Sequence, residues 1–362
     1  MSLSVDIGHR AGAFSIEATF EAPGGVTALF GRSGAGKTTV VNAVAGLVRP
    51  QRGRIALGDR VLFEAGRTNL PPQRRRIGYV FQEPRLFPHM SVLANLRYGG
   101  THDEARVIDL LGIGALLERR PGTLSGGEAA RVALGRALMS APEMLLLDEP
   151  LAALDAPRRA EVLGHLERLR DEVGIPMLYV SHELAEVARL ATTLVLLDSG
   201  RVLRAGPLAQ VLADPAAAHL FGDRGAGAVI SARVVGHDSG DDLTEVDFDG
   251  GRLLLPGRVG RPGARLTVRI AAEDVILAGV APLGLSALNV LEVEVTALAD
   301  VPGGVAVGLS VGRAQLLARV TRRSAVKLDL RPGARVFAVV KATAMAPGDP
   351  GTAAGAPARD GS

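Results

Sequence analysis

Nine residues, Gly31-Arg32-Ser33-Gly34-Ala35-Gly36-Lys37-Thr38-Thr39, fit a phosphate-binding pattern: glycine, four residues, then Gly-Lys-Thr. Glycines lack Cβ atoms, so the backbone wraps an anion closely and aims its N–H groups inward. Lys37 supplies a mobile ammonium for the outer phosphates, and Thr38 a hydroxyl for Mg²⁺. The apolar run from Val26 to Phe30 predicts a strand leading into this loop. Thr38 to Gly46 predicts a helix leading out, with its positive N-terminal end at the phosphate. The loop alone implies a nucleotide and no particular chemistry.

Three further groups supply chemistry. Leu145-Leu146-Leu147-Asp148-Glu149 predicts a buried strand ending in two acids, the Walker B pattern. Asp148 would hold Mg²⁺ through water, and Glu149 would orient and polarise an attacking water. Leu124-Ser125-Gly126-Gly127-Glu128 predicts a second anion-binding helix N-terminus. A plain N-cap turn explains Ser125 but not the paired glycines. One nucleotide does not need two cradles from one chain. Two copies arranged head-to-tail do, each closing this loop over the γ-phosphate held by the other copy's P-loop. Gln82 and His182 also stand at the ends of predicted strands, 77–81 and 176–180.

The elements that must position these residues alternate between strand and helix, which implies a parallel α/β sheet with ligands at the strand C-termini. Residues 3–7 and 14–20 alternate as strands, with Phe14, Ile16, Ala18 and Phe20 on one face directed to the core. Segments 53–63 and 193–205 read as hairpins. Segments 91–118, 128–140 and 156–173 read as helices. The pattern changes at Gly222-Asp-Arg-Gly-Ala-Gly227, which gives domains at 1–222 and 229–346 joined by a linker at 223–228. The second domain is predicted to be a small all-β, OB-like barrel. Arg261-Pro-Gly-Ala-Arg265 returns as Arg331-Pro-Gly-Ala-Arg335, 70 residues later, which points to two related modules, the second more complete. The tail, 347–362, is Gly, Ala, Pro and Asp and is expected to be disordered.

Composition excludes several classes. There is no cysteine, so thiolate metal sites, disulfides and cysteine nucleophiles are excluded. Lys and Arg number 41 against 38 Asp and Glu, and no basic-aromatic patch appears, so no nucleic-acid partner is expected. Residues 1–10 carry no apolar stretch of a signal peptide, and no run approaches 18 apolar residues.

Together the motifs resemble the ATPase family of ABC transporters. Leu124 to Glu128 is similar to the family's signature loop, Gln82 to the Q-loop, Leu151-Ala152-Ala153-Leu154-Asp155 to the D-loop, and His182 to the switch histidine at the γ-phosphate. The resemblance covers about residues 1–220 and implies an ATP hydrolase with ATP and Mg²⁺, the ion held by Thr38, Gln82 and Asp148. It implies a head-to-tail homodimer and two integral-membrane permease subunits. The place would be the cytoplasmic face of the cell membrane, with an external oxyanion-binding protein upstream. Leu86, Phe87 and Pro88 would line an exposed groove for the permease. The family usually stacks a ring on adenine upstream of the P-loop, but Gly8 to Ala13 hold none, leaving His9 or Arg10 for that contact.

The C-terminal segments resemble the molybdate/tungstate-binding β-module of molybdate importers. The implied oxyanion residues are Ser286, Asn289, Thr321, Arg322, Ser324, Ala325, Lys341, Ala342 and Thr343. They would form one pocket in the second module, because Ala271 stands in the echo where Lys341 stands. Leu288 departs from the arginine usual there. The resulting expectation is the ATPase of a molybdate importer with an oxyanion-sensing C-terminal domain. The alternative is an importer ATPase for sulfate, tungstate, iron or sugar with a purely structural barrel. A soluble ABC ATPase acting on DNA or ribosomes fits less well, since the chain has one P-loop and no heptads.

Overall fold

A computed structural model describes residues 1–347 apart from 13, 223, 224 and 239, so part of the expected linker and the tail from 348 onward lie outside the described residues. The chain divides into two compact units, Met1–Val211 and Leu212–Ser362.

The first unit is built on an eleven-stranded sheet. The expected parallel sheet is only half of it. Thr193–Asp198, Val26–Phe30, Met177–Ser181, Met144–Asp148 and Ile77–Val80 run parallel in that order. The other half is made from antiparallel hairpins, including Leu3–Ala11 with Phe14–Ala22 and Arg52–Leu57 with Arg60–Glu64, joined on through Arg201–Pro207, which pairs parallel with Phe14–Ala22. The three central strands, Val26–Phe30, Met177–Ser181 and Met144–Asp148, are buried along their length, as covering both faces requires.

The helix Lys37–Ala45 starts and stops at glycines held in the left-handed region, Gly36 (φ 101°) and Gly46 (φ 85°). Val40, Val41 and Val44 bury its inner face in the core with Leu29, Leu146 and Val180. Its C-terminal carbonyls meet a fully buried guanidinium. Arg75 donates through Nη1 to Ala43 O and Val44 O, both at 2.8 Å. The long helical stretch expected at 91–118 is broken into Val92–Gly99 and Glu104–Leu111. The break follows from packing: a Cβ on Gly99 would stand 2.0 Å from Arg136 O and one on Gly100 2.3 Å from Met139 O, so only glycines fit where the chain crosses the end of the helix Gly126–Leu138.

The second unit contains two five-stranded antiparallel sheets. The short helix Pro215–Phe221 packs with it, Pro215 lying against Gly308. The two echoed turns share one geometry. Gly263 (φ 84°) donates to Val234 O, and Gly333 (φ 83°) to Val295 O, both at 2.8 Å. The sheets exchange their last strands: Ile276–Ala278 pairs with Arg335–Val340, and Met345–Pro347 pairs with Arg265–Ala271. Val268, Ile270, Val293, Val307, Leu316 and Val340 belong to one core shared by both sheets. The second sheet also has a helix of its own, Arg322–Lys327.

Candidate nucleotide site

The parallel strands deliver the chemistry-bearing residues to one edge of the sheet. The loop 31–36 follows Val26–Phe30, Glu149 follows Met144–Asp148, His182 follows Met177–Ser181, and Gln82 lies exposed beyond Ile77–Val80. Gly31 is demanded by a close approach, because a Cβ there would fall 2.1 Å from Leu197 O. Gly200 N braces the loop from the neighbouring hairpin by donating to Ala35 O at 3.0 Å. Arg32, Ser33, Gly34 and Thr38 are exposed, while Thr39 is half-buried.

Lys37 is buried and donates to Gly31 O (2.8 Å) and Arg32 O (3.1 Å), with Glu149 Oε1 3.8 Å away. Burial lowers its pKa, and the Glu149 and Asp148 carboxylates oppose that shift. Thr38 Oγ1 and Asp148 Oδ1 converge to 3.5 Å. Burial raises the Asp148 pKa against a hydrogen bond from Tyr79. Glu149 holds a left-handed backbone (φ 46°), which a non-glycine residue rarely adopts. Its Oε2 lies 3.2 Å from His182 Nδ1, so the two residues expected to act on the terminal phosphate already touch.

Ser125 caps the helix Gly126–Leu138 in a reciprocal box. Its Oγ accepts from Glu128 N at 3.3 Å, and the Glu128 carboxylate accepts from Ser125 N at 2.6 Å. The first glycine has a further reason here: a Cβ on Gly126 would stand 2.9 Å from Leu154 Cδ2. The signature loop and the 151–155 segment are therefore in contact. Asp155 caps the next helix, accepting from Arg158 N at 3.1 Å. Among the described residues no hydrogen bond or ion pair joins Ser125, Gly126 or Gly127 to Lys37 or Glu149.

Two expectations change. Phe14 is not a core residue. It is 37% exposed, and a Cβ on Gly36 would lie 3.2 Å from its Cε1, so the ring stands beside the P-loop. Ile16, Ala18 and Phe20 keep the buried face, and Phe14 overhangs its end. Arg10 is instead tied into the hairpin, its main chain bonded to the Gln51 amide. The 86–88 segment is less open than expected. Leu86 and Phe87 are half-buried; Phe87 packs on Tyr98 at 4.5 Å, and its main chain is held by buried Asn95. Tyr98, 66% exposed, is the open ring of that face.

Sequence reading passed over Tyr79, whose hydroxyl reaches Asn42 Oδ1 (3.0 Å) and Asp148 Oδ2 (3.2 Å). The signal was a tyrosine inside a buried strand, since its hydroxyl must find a partner.

The residues expected to hold an oxyanion do not form one cluster. Asn289 pairs with Val340, next to Lys341, at one end of the sheet. Thr321 follows Val320, which pairs with Val305 near the turn at the other end. Asn289 is buried, and its amide is spent on Leu254 N (2.8 Å) and Leu254 O (3.1 Å). Thr321 accepts from Ser324 N at 3.1 Å as a helix cap, Arg322 pairs with Asp300 at 3.0 Å, and Ala325 and Ala342 are core. Ser286, Lys341 and Thr343 are exposed. The expected single pocket within the second module is therefore not assembled by one chain.

A strand, a glycine loop and a helix carrying Lys37, facing Asp148, Glu149 and His182, define a P-loop nucleotide-binding protein. Residues 16–152 match the family described as ABC transporter, and residues 285–347 match the TOBE domain. The chain is 50% identical to "Molybdenum import ATP-binding protein ModC" of Mesorhizobium japonicum over 354 residues, 94% of this chain and 95% of that one. The protein of the same name from Rhizobium meliloti is 50% identical over 355 residues, 95% and 99% of the two chains. A nucleotide-free ATP-binding cassette from an ABC transporter shares the fold, with TM-score 0.54 and 24% identity over 61% of this chain and 98% of its own. So does cbiO1 of Clostridium perfringens, part of an ABC transporter complex, with TM-score 0.52 and 26% identity over 59% and 90%. The chain belongs to the ATP-binding proteins of ABC transporters.

Proposed function

We propose that this chain is the ATP-hydrolysing subunit of an ABC importer that energises molybdate uptake. One observation carries the substrate: half the residues match proteins named for molybdenum import, and the match runs through both units. ATP hydrolysis is supported by the Lys37, Asp148, Glu149 and His182 arrangement.

In this reading the N–H groups of 31–36 and the Lys37 ammonium hold the β- and γ-phosphates. Phe14, exposed beside Gly36, stacks on the base. Thr38 and Asp148 present a hydroxyl and a carboxylate 3.5 Å apart, a hard-oxygen pair of the kind Mg²⁺ takes alongside phosphate oxygens. Gln82 would complete the set. Mg²⁺ would neutralise charge developing on the transferred phosphoryl group. Glu149 orients and polarises the attacking water, and His182 contacts the γ-phosphate from its 3.2 Å bond to Glu149. Ser125 and Gly127 act on the nucleotide of a second copy, which makes the working unit a head-to-tail dimer. Among the described residues no helix is long and apolar enough to cross a membrane. In this reading two separate permease subunits carry the substrate, and the chain is held peripherally on them at the cytoplasmic face.

The C-terminal unit is read as an oxyanion sensor. Since Lys341 and Thr321 lie at opposite ends of one sheet, an anion site using both sets needs a second copy. Titration of molybdate, tungstate and sulfate into the full chain tests this: molybdate and tungstate bind, sulfate does not, and Lys341→Ala abolishes binding.

The test of the function is uptake of labelled molybdate by cells lacking their own import ATPase and supplied with this chain and its permease. Uptake is restored by the native chain and not by Glu149→Gln. Restoration of sulfate uptake instead would assign a different substrate.

A further inference from the structure

Glu186 is a buried carboxylate that none of the steps above uses; it is 4% exposed on the helix Leu184–Leu190. Burying a charge is costly unless it is paired and hydrogen-bonded, and here one oxygen takes two hydrogen bonds while the other faces a guanidinium. Tyr179 and Ser181 each donate a hydroxyl to Oε2 at 2.7 Å. Arg159 Nε forms an ion pair with Oε1 at 3.4 Å. Both hydroxyls come from the strand Met177–Ser181, which leads into His182. Ser181 Oγ also accepts from Glu183 N at 3.0 Å, so the residues on both sides of His182 are tied to one carboxylate. On the other side, Arg159 Nη2 donates to Leu154 O at 3.2 Å. Leu154 packs against Gly126, next to Ser125. A continuous path thus runs from the histidine at one nucleotide to the loop that serves the nucleotide of the second copy.

We infer that Glu186 is a positioning residue: its carboxylate fixes the main chain carrying His182 and joins it to the 151–155 segment through Arg159. The inference rests on the reading of His182 as the γ-phosphate contact. Glu186 touches no substrate atom. Its effect falls on the geometry of His182 in the transition state rather than on ATP binding, so it belongs to kcat rather than KM.

The experiment measures steady-state ATP hydrolysis by the full chain as Glu186→Gln, His182→Ala, the double variant and Ser181→Ala. Glu186→Gln keeps the shape and removes the charge. The expected result is a kcat lower by about tenfold, with KM for ATP changed less than about twofold. In the His182→Ala background the same substitution has no further effect on kcat, because its route to the chemistry is gone. Ser181→Ala removes only the hydroxyl link and lowers kcat in the same way, which keeps the test valid if Glu186→Gln fails to fold. Native kcat in Glu186→Gln overturns the inference, as does a full additional loss on top of His182→Ala. Native kcat in His182→Ala itself removes the catalytic reading beneath it, a different failure visible in a different variant.

Discussion

Glu149 and His182 meet at 3.2 Å because the backbone of Glu149 turns into the left-handed region directly after the strand. That turn was not readable from the letters Asp-Glu, though the two acids at a strand end were. Phe14 carries the opposite lesson. Alternation placed it inside, yet it is the last residue of its face, and the buried surface ends before it. Its ring by Gly36 yields a prediction at the same scale. Phe14→Ala raises the Kd for ATP by about five- to tenfold, the worth of one stacking contact. It leaves kcat at saturating ATP within about twofold. Equilibrium titration with a fluorescent ATP analogue, read beside hydrolysis rates, checks both. Unchanged affinity would return the base contact to another residue.

The helices are positioned by their ends, and two ends make separate predictions. Arg75 is fully buried, burial lowers its pKa to about 10, and its donors go to Leu70 O, Ala43 O, Val44 O and Asn69 Oδ1. The guanidinium thus answers the negative end of the helix that begins at Lys37. Arg75→Met orphans several carbonyls and lowers stability by about 3 kcal/mol in denaturant unfolding. Arg75→Lys also destabilises, since one ammonium cannot reach four acceptors spread around a planar fork. At the signature helix, the Ser125 N–H and then Arg119 hold the Glu128 carboxyl below its usual pKa. A depressed carboxyl stabilises fully above its unfolded value, and that stabilisation is lost as pH falls through the folded value. The stability gap between the native chain and Glu128→Gln is therefore open at neutral pH and closes below about pH 4. A gap that stays constant into acid would mean the cap does not depend on ionisation. The sequence pattern Ser-x-x-Glu announced this box. Nothing in sequence announced Arg75, because its helix-end partners Ala43 and Val44 lie 32 and 31 residues away on a different element.

At the scale of the whole molecule, the strand–loop–helix alternation made the nucleotide-binding unit legible, and the glycine-punctuated strands made the second unit legible as all-β. Strand exchange was not legible. Pairing of Met345–Pro347 with Arg265–Ala271 joins segments about 75 residues apart, and no local pattern encodes that choice of neighbour. Exchange has a consequence for truncation. Ending the chain after Ala344 removes a strand from the sheet of the first module, not the second, and uncovers core around Ile270. Scanning calorimetry should show a lower Tm for the C-terminal unit as a whole, because the two sheets share one core. An unaltered Tm would mean the exchanged strand contributes no stability. The scattered oxyanion residues belong to this scale too. Their types suggested a pocket, but types do not reveal that Asn289 is spent on the main chain of Leu254.

In the proposed function one chain carries the chemistry of hydrolysis and a second copy completes the site. Sedimentation of the Glu149→Gln variant with Mg²⁺ and ATP, beside its hydrolysis rate, tests both halves together. The expected result is a nucleotide-dependent shift from monomer to dimer, with kcat reduced by about a hundredfold or more. The shift should be absent without ATP and absent when Lys37→Ala is added. A variant that stays monomeric at saturating ATP would rule out a site shared between two copies, and one that hydrolyses ATP at the native rate would rule out Glu149 as the residue that activates water.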